Sequence, residues 1–231
     1  KRSRGKLIWF HGASVGEILS IIPLIKYYEK KKSIDQILIT SSTLSSAKII
    51  KKFKFKKTIH QFYPIDHFCF TTKFLKYWRP NVAIFIESEI WPSMFNSLKK
   101  NKVPLILLNA RLTKKTFNRW MKMKNFSNSI FNKITIAYPQ NFETNYYLKR
   151  IKIDKIKIIG NLKFAENDED EQRYIDKKIK LKFQKKKVWV ASSTHGIEEV
   201  FCAKTHLELK KRIKNLITII IPRHVHRSKE I

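Results

Sequence analysis

The chain has 231 residues, and 49 lysines and arginines against 18 aspartates and glutamates give it a formal net charge of +31. Hydrophobic residues make up 43% of the sequence, which excludes a disordered polycation because a packed core can be built. The two cysteines, Cys69 and Cys202, are too few and too far apart for a disulfide scaffold or a zinc ribbon, and no apolar run reaches the roughly 18 residues of a membrane-spanning helix.

The positive charge is spread along the whole chain and allows two interpretations. It reflects either a drift of composition towards lysine or selection for an anionic partner, such as nucleic acid, a phospholipid surface or a phosphorylated substrate. The acidic segment Glu166–Glu171, with Asp176, follows a break in the apolar pattern. It predicts a solvated linker or the start of a helix.

Short apolar runs alternate with amphipathic stretches along the chain. Helices are predicted around Ile18–Ile25, over Leu44–Phe53, up to Trp78, after Pro92 and over Ile197–Arg212. This alternation predicts a buried, doubly wound parallel sheet of the α/β class. The predicted strands are, in chain order, Lys6–Phe10, Gln36–Thr40, Thr58–Tyr63, Val82–Ile86, Pro104–Leu108, Ile134–Tyr138, Lys155–Ile159, Val188–Ala191 and Leu216–Ile221.

The acidic segment divides these elements into two groups. Residues 1–165 form a first predicted Rossmann-like domain, and residues 166–185 form a linker or helix. Residues 186–231 begin a second Rossmann-like domain, which we expect to be incomplete at Ile231.

Ligands of an open parallel sheet bind beyond the carboxyl ends of its strands. The first such turn, His11–Glu17, has two glycines and places Glu17 at the start of a helix. That carboxylate either accepts a proton from a substrate hydroxyl or merely complements the helix dipole. The fourth turn, Glu87–Pro92, carries Glu87 and Glu89, which either form a polar site opposite Glu17 or cap the next helix.

Later turns carry groups suited to anions. Lys163 in Gly160–Phe164 either reaches an anionic group or is one surface lysine among many. The hydroxyls and glycine of Ala191–Gly196 precede a helix whose N-terminus can hold a phosphate, and Arg223 can bind a phosphate or carboxylate through two nitrogens. No histidine has metal-ligand spacing with a partner, and neither a Walker A motif nor a GxGxxG motif is present.

The stretch Arg111–Lys124 interleaves basic residues with Phe117, Trp120, Met121 and Met123. Such a helix either lies on an anionic membrane surface or packs on the core as an ordinary amphipathic helix.

Taken together, six segments resemble the 3-deoxy-D-manno-octulosonic acid (Kdo) transferases of lipopolysaccharide assembly, and they occur in the family's order along almost the whole chain. The chain departs from the usual pattern at Gly12, where Ala or Ser is common, and at Gly196-Ile197, where Glu-Gly is frequent. The matching segments are HGASVGE (His11–Glu17), ESEIWP (Glu87–Pro92), LNARL (Leu108–Leu112), GNLKF (Gly160–Phe164), ASSTHGIEE (Ala191–Glu199) and IPRH (Ile221–His224).

The resemblance implies a glycosyltransferase B-type fold with two Rossmann-like domains. The first, residues 1–165, would bind the acceptor, and the second would bind the nucleotide sugar and is truncated in this chain. The resemblance implies transfer of Kdo from CMP-Kdo to the lipid A precursor (lipid IVA), with inversion at the anomeric carbon and with neither a metal nor another cofactor. Glu17 matches the family's general base, and Glu89 and Lys163 match positions that support the transition state. The substrate-binding candidates are Pro222 and Arg223 for CMP, and Ser14, Gly16, Arg111, Ser193 and Thr194 from the other matching segments.

The resemblance also implies a protein at the cytoplasmic face of the bacterial inner membrane, in contact with its anionic surface and not with nucleic acid. We expect the 231-residue chain by itself to be inactive or nearly so, because the family's second domain continues well past Ile231. Two rival interpretations are another two-domain glycosyltransferase that uses a different nucleotide sugar, and a non-catalytic basic module that binds membrane or nucleic acid.

Overall fold

The structure is a computed structural model of the chain, and it describes residues 1–162 and 177–231. The chain divides into two compact units, Lys1–Asn167 and Asp168–Ile231. In the part of the chain that the structure describes, no helix combines the length and the apolar character that crossing a bilayer would require.

The first unit is a parallel sheet with helices between its strands. Six strands pair in the order β3-β2-β1-β4-β5-β6, all in parallel. The elements are β1 (Leu7–His11), α1 (Val15–Glu29), β2 (Gln36–Ser41), α2 (Leu44–Lys52), β3 (Thr58–Phe62), α3 (Phe68–Trp78), β4 (Val82–Ile86), α4 (Pro92–Lys100), β5 (Leu105–Ala110), α5 (Lys114–Lys122), α6 (Lys124–Phe131), β6 (Ile136–Pro139) and α7 (Phe142–Arg150).

The central strands are buried on both faces of the sheet. Every residue of β1 and β2 is buried, which explains why these strands read as continuous apolar runs rather than as an alternating pattern. Because successive side chains of a strand point to opposite faces, Trp9 and Phe85 belong to one core cluster, whereas Phe10 and Ile84 belong to another. This distribution of apolar residues requires helices on both faces of the sheet.

The strand order places a topological switch point between β1 and β4. The chain moves from β1 outwards to β2 and β3, and then returns to β4 on the other side of β1. The connections that leave β1 and β4 therefore diverge, which opens a crevice at the carboxyl end of these two strands. This crevice brings the turns His11–Glu17 and Glu87–Pro92 next to each other.

Two sequence predictions for this unit are wrong. Lys155–Ile159 is not a strand: one isolated bridge, between Ile156 and Ala137, joins it to β6. The following Ile158 and Ile159 are 43% and 56% exposed, so they have no core to pack against. The stretch Arg111–Lys124 is not one helix, because α5 ends at Lys122 and α6 begins at Lys124.

The apolar side of α5 packs on the core. Phe117 is buried, and Trp120 and Met121 lie partly buried against the same core cluster, which favours the amphipathic core helix over a helix held by a membrane. Met123, at the junction between α5 and α6, is 57% exposed.

The second unit is a small βαβ structure, and it confirms the predicted strands and the predicted helix in this region. Strands β7 and β8 are parallel, and their register runs from Lys187 opposite Leu216 to Thr194 opposite Pro222. Val190 is 51% exposed and Phe201 65% exposed, because a two-stranded sheet with its helix covers little apolar surface. The elements are α8 (Lys177–Phe183), β7 (Lys187–Thr194), α9 (Gly196–Arg212), β8 (Leu216–Pro222) and a 3₁₀ helix, Val225–Lys229.

Candidate active site

Glu17 lies in the first turn of α1, at the carboxyl end of β1. The Ser14 hydroxyl caps this helix: it accepts a hydrogen bond from the Glu17 amide (3.3 Å) and donates one to Glu17 Oε1 (2.8 Å). The Ala13 amide donates to the other carboxylate oxygen, Oε2 (2.8 Å). These bonds fix the orientation of the carboxylate relative to the turn.

The Glu17 carboxyl is half-buried, and this burial raises its pKa above the usual value for a glutamate. The hydrogen bonds from Ser14 and Ala13 stabilise the charged form and oppose the rise, whereas the negative charges of Glu89 and Glu87 add to it. The structure therefore brings the carboxylates from the turns after β1 and β4 within electrostatic range of one another. A carboxylate whose pKa is raised in this way accepts a proton more readily, as a general base must.

Two glycines keep the first turn free of bulk around Glu17. A Cβ added at Gly12 would lie 3.1 Å from Glu17 Cβ and 3.3 Å from Ile18 Cδ1, so Gly12 lets the Glu17 side chain fold back against the turn. Gly16 is exposed, and a Cβ there would meet nothing within 4 Å. Gly16 therefore relieves no contact with the rest of the described chain.

Glu89 follows β4 and is held by two nitrogen donors. Its Oε2 lies 3.1 Å from His11 Nε2 and 2.8 Å from Trp91 Nε1. The Glu89 side chain is 16% exposed, and that of His11 is 0% exposed. Glu89 thus joins the end of β1 to the segment before α4, across the crevice.

An aromatic wall lies behind this pair. The His11 ring stacks on Tyr63, with 4.0 Å between ring centroids, and contacts the edge of Phe85 at 5.0 Å. The Tyr63 hydroxyl is buried and makes no hydrogen bond to a described residue. Burial, with smaller contributions from the charges of Asp66 and Glu89, raises the pKa of Tyr63 well above its usual value.

The turns after β4 and β5 are tied together through backbone atoms. The amide of Glu87 donates to the Leu108 carbonyl (3.0 Å), and the amide of Arg111 donates to the Glu87 carbonyl (3.3 Å). Ser88 Oγ donates to the Arg111 carbonyl (2.7 Å). Arg111, which is exposed, therefore lies at the same carboxyl end of the strands as the carboxylates.

Asn109 connects this edge to the segment that leads to Lys163. It has a left-handed backbone (φ 52°) at an irregularity in the pairing of β5 with β6. Its buried side-chain oxygen accepts a hydrogen bond from the Leu162 amide (3.1 Å). Lys163 itself, one of the predicted site residues, lies outside the described residues.

The second unit gathers its predicted site residues at one end of its own sheet. Thr194 is opposite Pro222 in the strand register, and its carbonyl accepts a hydrogen bond from the Arg223 amide (3.0 Å). Ser193 is exposed, with a left-handed backbone (φ 60°) where the pairing of β7 with β8 is irregular. The exposed Arg223 side chain and the N-terminus of α9 stand at the same end of the sheet.

An ion pair that the sequence analysis missed braces this end of the second unit. Arg227 donates to both carboxylate oxygens of Glu199 (3.0 and 2.8 Å), and Thr194 Oγ1 also donates to Glu199 (3.1 Å). Glu199 is buried, although it lies in the first turn of α9. Its position within the motif ASSTHGIEE was visible in the sequence, but its arginine partner, 28 residues away, was not.

Among the described residues, no group of three or more histidine, cysteine, aspartate or glutamate side chains could hold a metal ion. The chemistry available at the first unit's crevice is instead that of an oriented, half-buried carboxylate that can take a proton, with two further carboxylates nearby.

The sequence model of the family described as 3-Deoxy-D-manno-octulosonic-acid transferase (kdotransferase) matches residues 1–166. The 3-deoxy-D-manno-octulosonic acid transferase of Rickettsia felis is 36% identical over 225 residues, which cover 97% of this chain and 48% of that protein. A probable mitochondrial 3-deoxy-D-manno-octulosonic acid transferase of Arabidopsis thaliana is 32% identical and covers 100% of this chain and 53% of its own length. The chain thus spans about half the length of these curated relatives.

Solved structures confirm the predicted fold class. UDP-GlcNAc 2-epimerase from Neisseria meningitidis, bound to UDP-GlcNAc, has a TM-score of 0.66 at 15% identity, covering 97% of this chain and 67% of that one. A UDP-glucosyltransferase from Polygonum tinctorium has a TM-score of 0.55 at 9% identity, covering 96% of this chain and 72% of that one. At such low identity the likeness shows the fold alone, which is that of the glycosyltransferase B type.

Proposed function

Because the chain belongs to the 3-deoxy-D-manno-octulosonic acid (Kdo) transferase family, we propose that the complete protein is an inverting glycosyltransferase of lipopolysaccharide assembly. It moves Kdo from CMP-Kdo to the lipid A precursor lipid IVA. The observation that carries this proposal is the placement of Glu17: an oriented, half-buried carboxylate with a raised pKa, at the switch point of the sheet.

In the proposed reaction, Glu17 takes the proton of an acceptor hydroxyl while the oxygen forms a bond to the anomeric carbon of Kdo. The bond from that carbon to the phosphate oxygen breaks on the opposite face, and CMP leaves with the electron pair. A sugar hydroxyl is a poor nucleophile, so a base in hydrogen-bond reach contributes about 10²–10⁴-fold to the rate. The donors Ala13 and Ser14 keep the base in one orientation without neutralising it.

Glu89 and Lys163 act in this proposal as supports of the transition state. Positive charge develops there on the sugar ring, where the Glu89 carboxylate is stabilising, and negative charge develops on the departing phosphate, where the Lys163 ammonium is stabilising. The proximity of Glu89 to Glu17 supports that role, because the two charges interact. A carboxylate near the ring stabilises developing positive charge most effectively when water is excluded. His11 and Trp91 hold the Glu89 carboxylate on the partly buried side of the crevice.

CMP is the proposed ligand of the second unit. The exposed side chains of Ser193 and Arg223 and the N-terminus of α9 provide donors of the kind that bind phosphate. The N-terminus of α9 also favours negative charge through its dipole. These features support a phosphate-bearing donor.

The proposed acceptor is a lipid, and the proposed location is the cytoplasmic face of the inner membrane. Between β3 and the first turn of α3, the side chains of Phe62, Ile65, Phe68 and Phe70 are 45%, 72%, 53% and 49% exposed. Leu44, at the start of α2, is also 71% exposed. An exposed apolar segment on a chain with a net charge of +31 suits the surface of an anionic membrane.

A donor panel with the complete protein tests the proposal. The complete protein is incubated with lipid IVA in anionic vesicles and with CMP-Kdo, UDP-glucose or UDP-GlcNAc. The mass of the lipid product is then measured by mass spectrometry. We expect a mass increase of Kdo with CMP-Kdo alone. Transfer from a UDP-sugar would favour a different glycosyltransferase, and no transfer from any donor would favour a non-catalytic module.

A further inference from the structure

A chain of buried hydrogen bonds ends at Glu89. Trp9 Nε1 donates to Thr40 Oγ1 (2.9 Å), and Thr40 Oγ1 lies 2.9 Å from His11 Nδ1. On the other side of the ring, His11 Nε2 lies 3.1 Å from Glu89 Oε2. These contacts cross β2, β1 and the turn after β4, and Trp9, Thr40 and His11 are all 0% exposed.

The carboxylate end of this chain fixes the direction of the hydrogen bond between His11 and Glu89. An indole N–H can only donate, and a carboxylate can only accept. The proton at His11 must therefore lie on Nε2, where it points to Glu89. Nδ1 then accepts the Thr40 hydroxyl proton. When the ring carries both protons, Nδ1 instead donates to the Thr40 carbonyl (3.2 Å) or to Thr40 Oγ1 (2.9 Å), whose own proton can go to the Phe10 carbonyl (3.4 Å). In either arrangement, Glu89 receives a proton donor from His11.

The surroundings of His11 allow little change in this arrangement. Tyr63 stacks on one side of the ring, and Phe85 and Trp91 contact its edges at 5.0 and 6.0 Å. The ring cannot turn without disturbing this packing, since buried side chains sit in single rotamers. The ionisable groups around the site are Glu89 itself, Glu17 and Glu87, with Tyr63 and Asp66 behind the ring.

Both donors reach the same carboxylate oxygen. His11 Nε2 and Trp91 Nε1 point to Glu89 Oε2, and no hydrogen bond from another described residue reaches Oε1. Within the part of the chain that the structure describes, Oε1 is therefore the oxygen of this carboxylate that accepts no hydrogen bond. A carboxylate that is held through one oxygen presents the other in a fixed direction.

We propose that His11 is a positioning residue: its Nε2–H, held towards Glu89 by the stacking of the ring on Tyr63 and by the contact of Nδ1 with Thr40, fixes the Glu89 carboxylate so that Oε1 faces the reacting sugar. The role in turnover rests on the proposed function of this site. His11 does not touch the substrate, and its effect reaches the reaction through Glu89. The proton stays on Nε2 throughout, so no proton is transferred along the chain.

Two variants of His11 separate positioning from packing. The amide nitrogen of Gln reaches about as far as Nε2, whereas that of Asn reaches about as far as Nδ1. In the complete protein, we expect His11→Asn to lower kcat for Kdo transfer by roughly 10–100-fold, because small misplacements of a catalytic group have effects of this size. We expect KM for CMP-Kdo to stay near its original value, and His11→Gln to recover most of the loss in kcat. Equal activity of the two variants, or a loss confined to KM, would overturn the proposal.

A spectroscopic measurement tests the same inference without turnover. Nitrogen-15 NMR of histidine-labelled protein reports which ring nitrogen carries the proton. We expect a protonated Nε2 at His11 and a shift of its proton resonance in Glu89→Gln. A proton on Nδ1 alone would overturn the proposal even if Kdo is transferred. The converse outcome is a protonated Nε2 that responds to Glu89→Gln although the complete protein transfers no Kdo. That result would support the contact between His11 and Glu89 and would refute the proposed function.

Discussion

Replacing Glu17 with Gln removes the proposed base while keeping its shape. The amide oxygen of Gln can accept from the Ala13 amide, and its nitrogen can donate to the Ser14 hydroxyl, so both contacts of 2.8 Å have replacements. The substitution also removes the repulsion between Glu17 and the charges of Glu89 and Glu87. The favourable interaction of the carboxylate with the α1 dipole is lost, which costs about 0.3–1 kcal/mol.

The two effects of this substitution differ in size. We expect the free energy of unfolding to change by less than about 1 kcal/mol, against a total of about 5–15 kcal/mol for a folded domain. Loss of a general base lowers kcat by about 10²–10⁴-fold, which corresponds to roughly 2.7–5.4 kcal/mol in the barrier. The protein should therefore remain folded and bind CMP-Kdo while its kcat falls by this factor.

Glu29→Gln is a matched control on the same helix. Glu29 is the last residue of α1 and lies near the amino end of the strands, where its carboxylate accepts hydrogen bonds from the amides of Lys56 and Lys57 (3.0 and 2.9 Å). Initial rates of CMP release from the complete protein, with melting curves by circular dichroism, measure both variants. Glu29→Gln should lower the melting temperature and keep the rate. A Glu17→Gln rate close to the unmodified one, or an equal loss of rate in Glu29→Gln, would refute the assignment of the base.

Three further predictions concern charge and packing. The Glu89 charge contributes to the raised pKa of Glu17, so Glu89→Gln should lower that pKa. Because a base works only when it is deprotonated, the acidic limb of the pH profile of kcat/KM should move to lower pH. An acidic limb that stays at the same pH or moves to higher pH would contradict this prediction. Tyr63→Phe removes a buried hydroxyl with no described partner, and should raise the free energy of unfolding by about 1 kcal/mol in urea titrations; a decrease would indicate an overlooked partner. Arg227→Lys replaces two hydrogen bonds to Glu199 with a single point donor, and should speed amide hydrogen exchange around the N-terminus of α9; unchanged exchange would show that the ion pair does not brace this end.

Much of the fold was predictable because short-range sequence patterns determine where its strands and helices form. The continuous apolar character of β1, β2, β4 and β5 indicated buried parallel strands, and the Ser and Thr residues before α1 and α2 are caps that the structure uses. The error at Lys155–Ile159 has a physical cause. An apolar run becomes a strand only when a neighbour and a core are available, and this segment finds one bridge at the edge of the sheet.

The candidate site depends both on local sequence patterns and on tertiary packing. The sequence by itself determined which elements form and that Glu17, Glu87 and Glu89 follow strands, because periodicity and capping are properties of neighbouring residues. It could not determine that β1 lies beside β4, or that His11 meets Glu89, 78 positions away. Those contacts exist because distant segments pack around a common core, and the free energy that selects one strand order comes from that packing rather than from any local stretch of sequence.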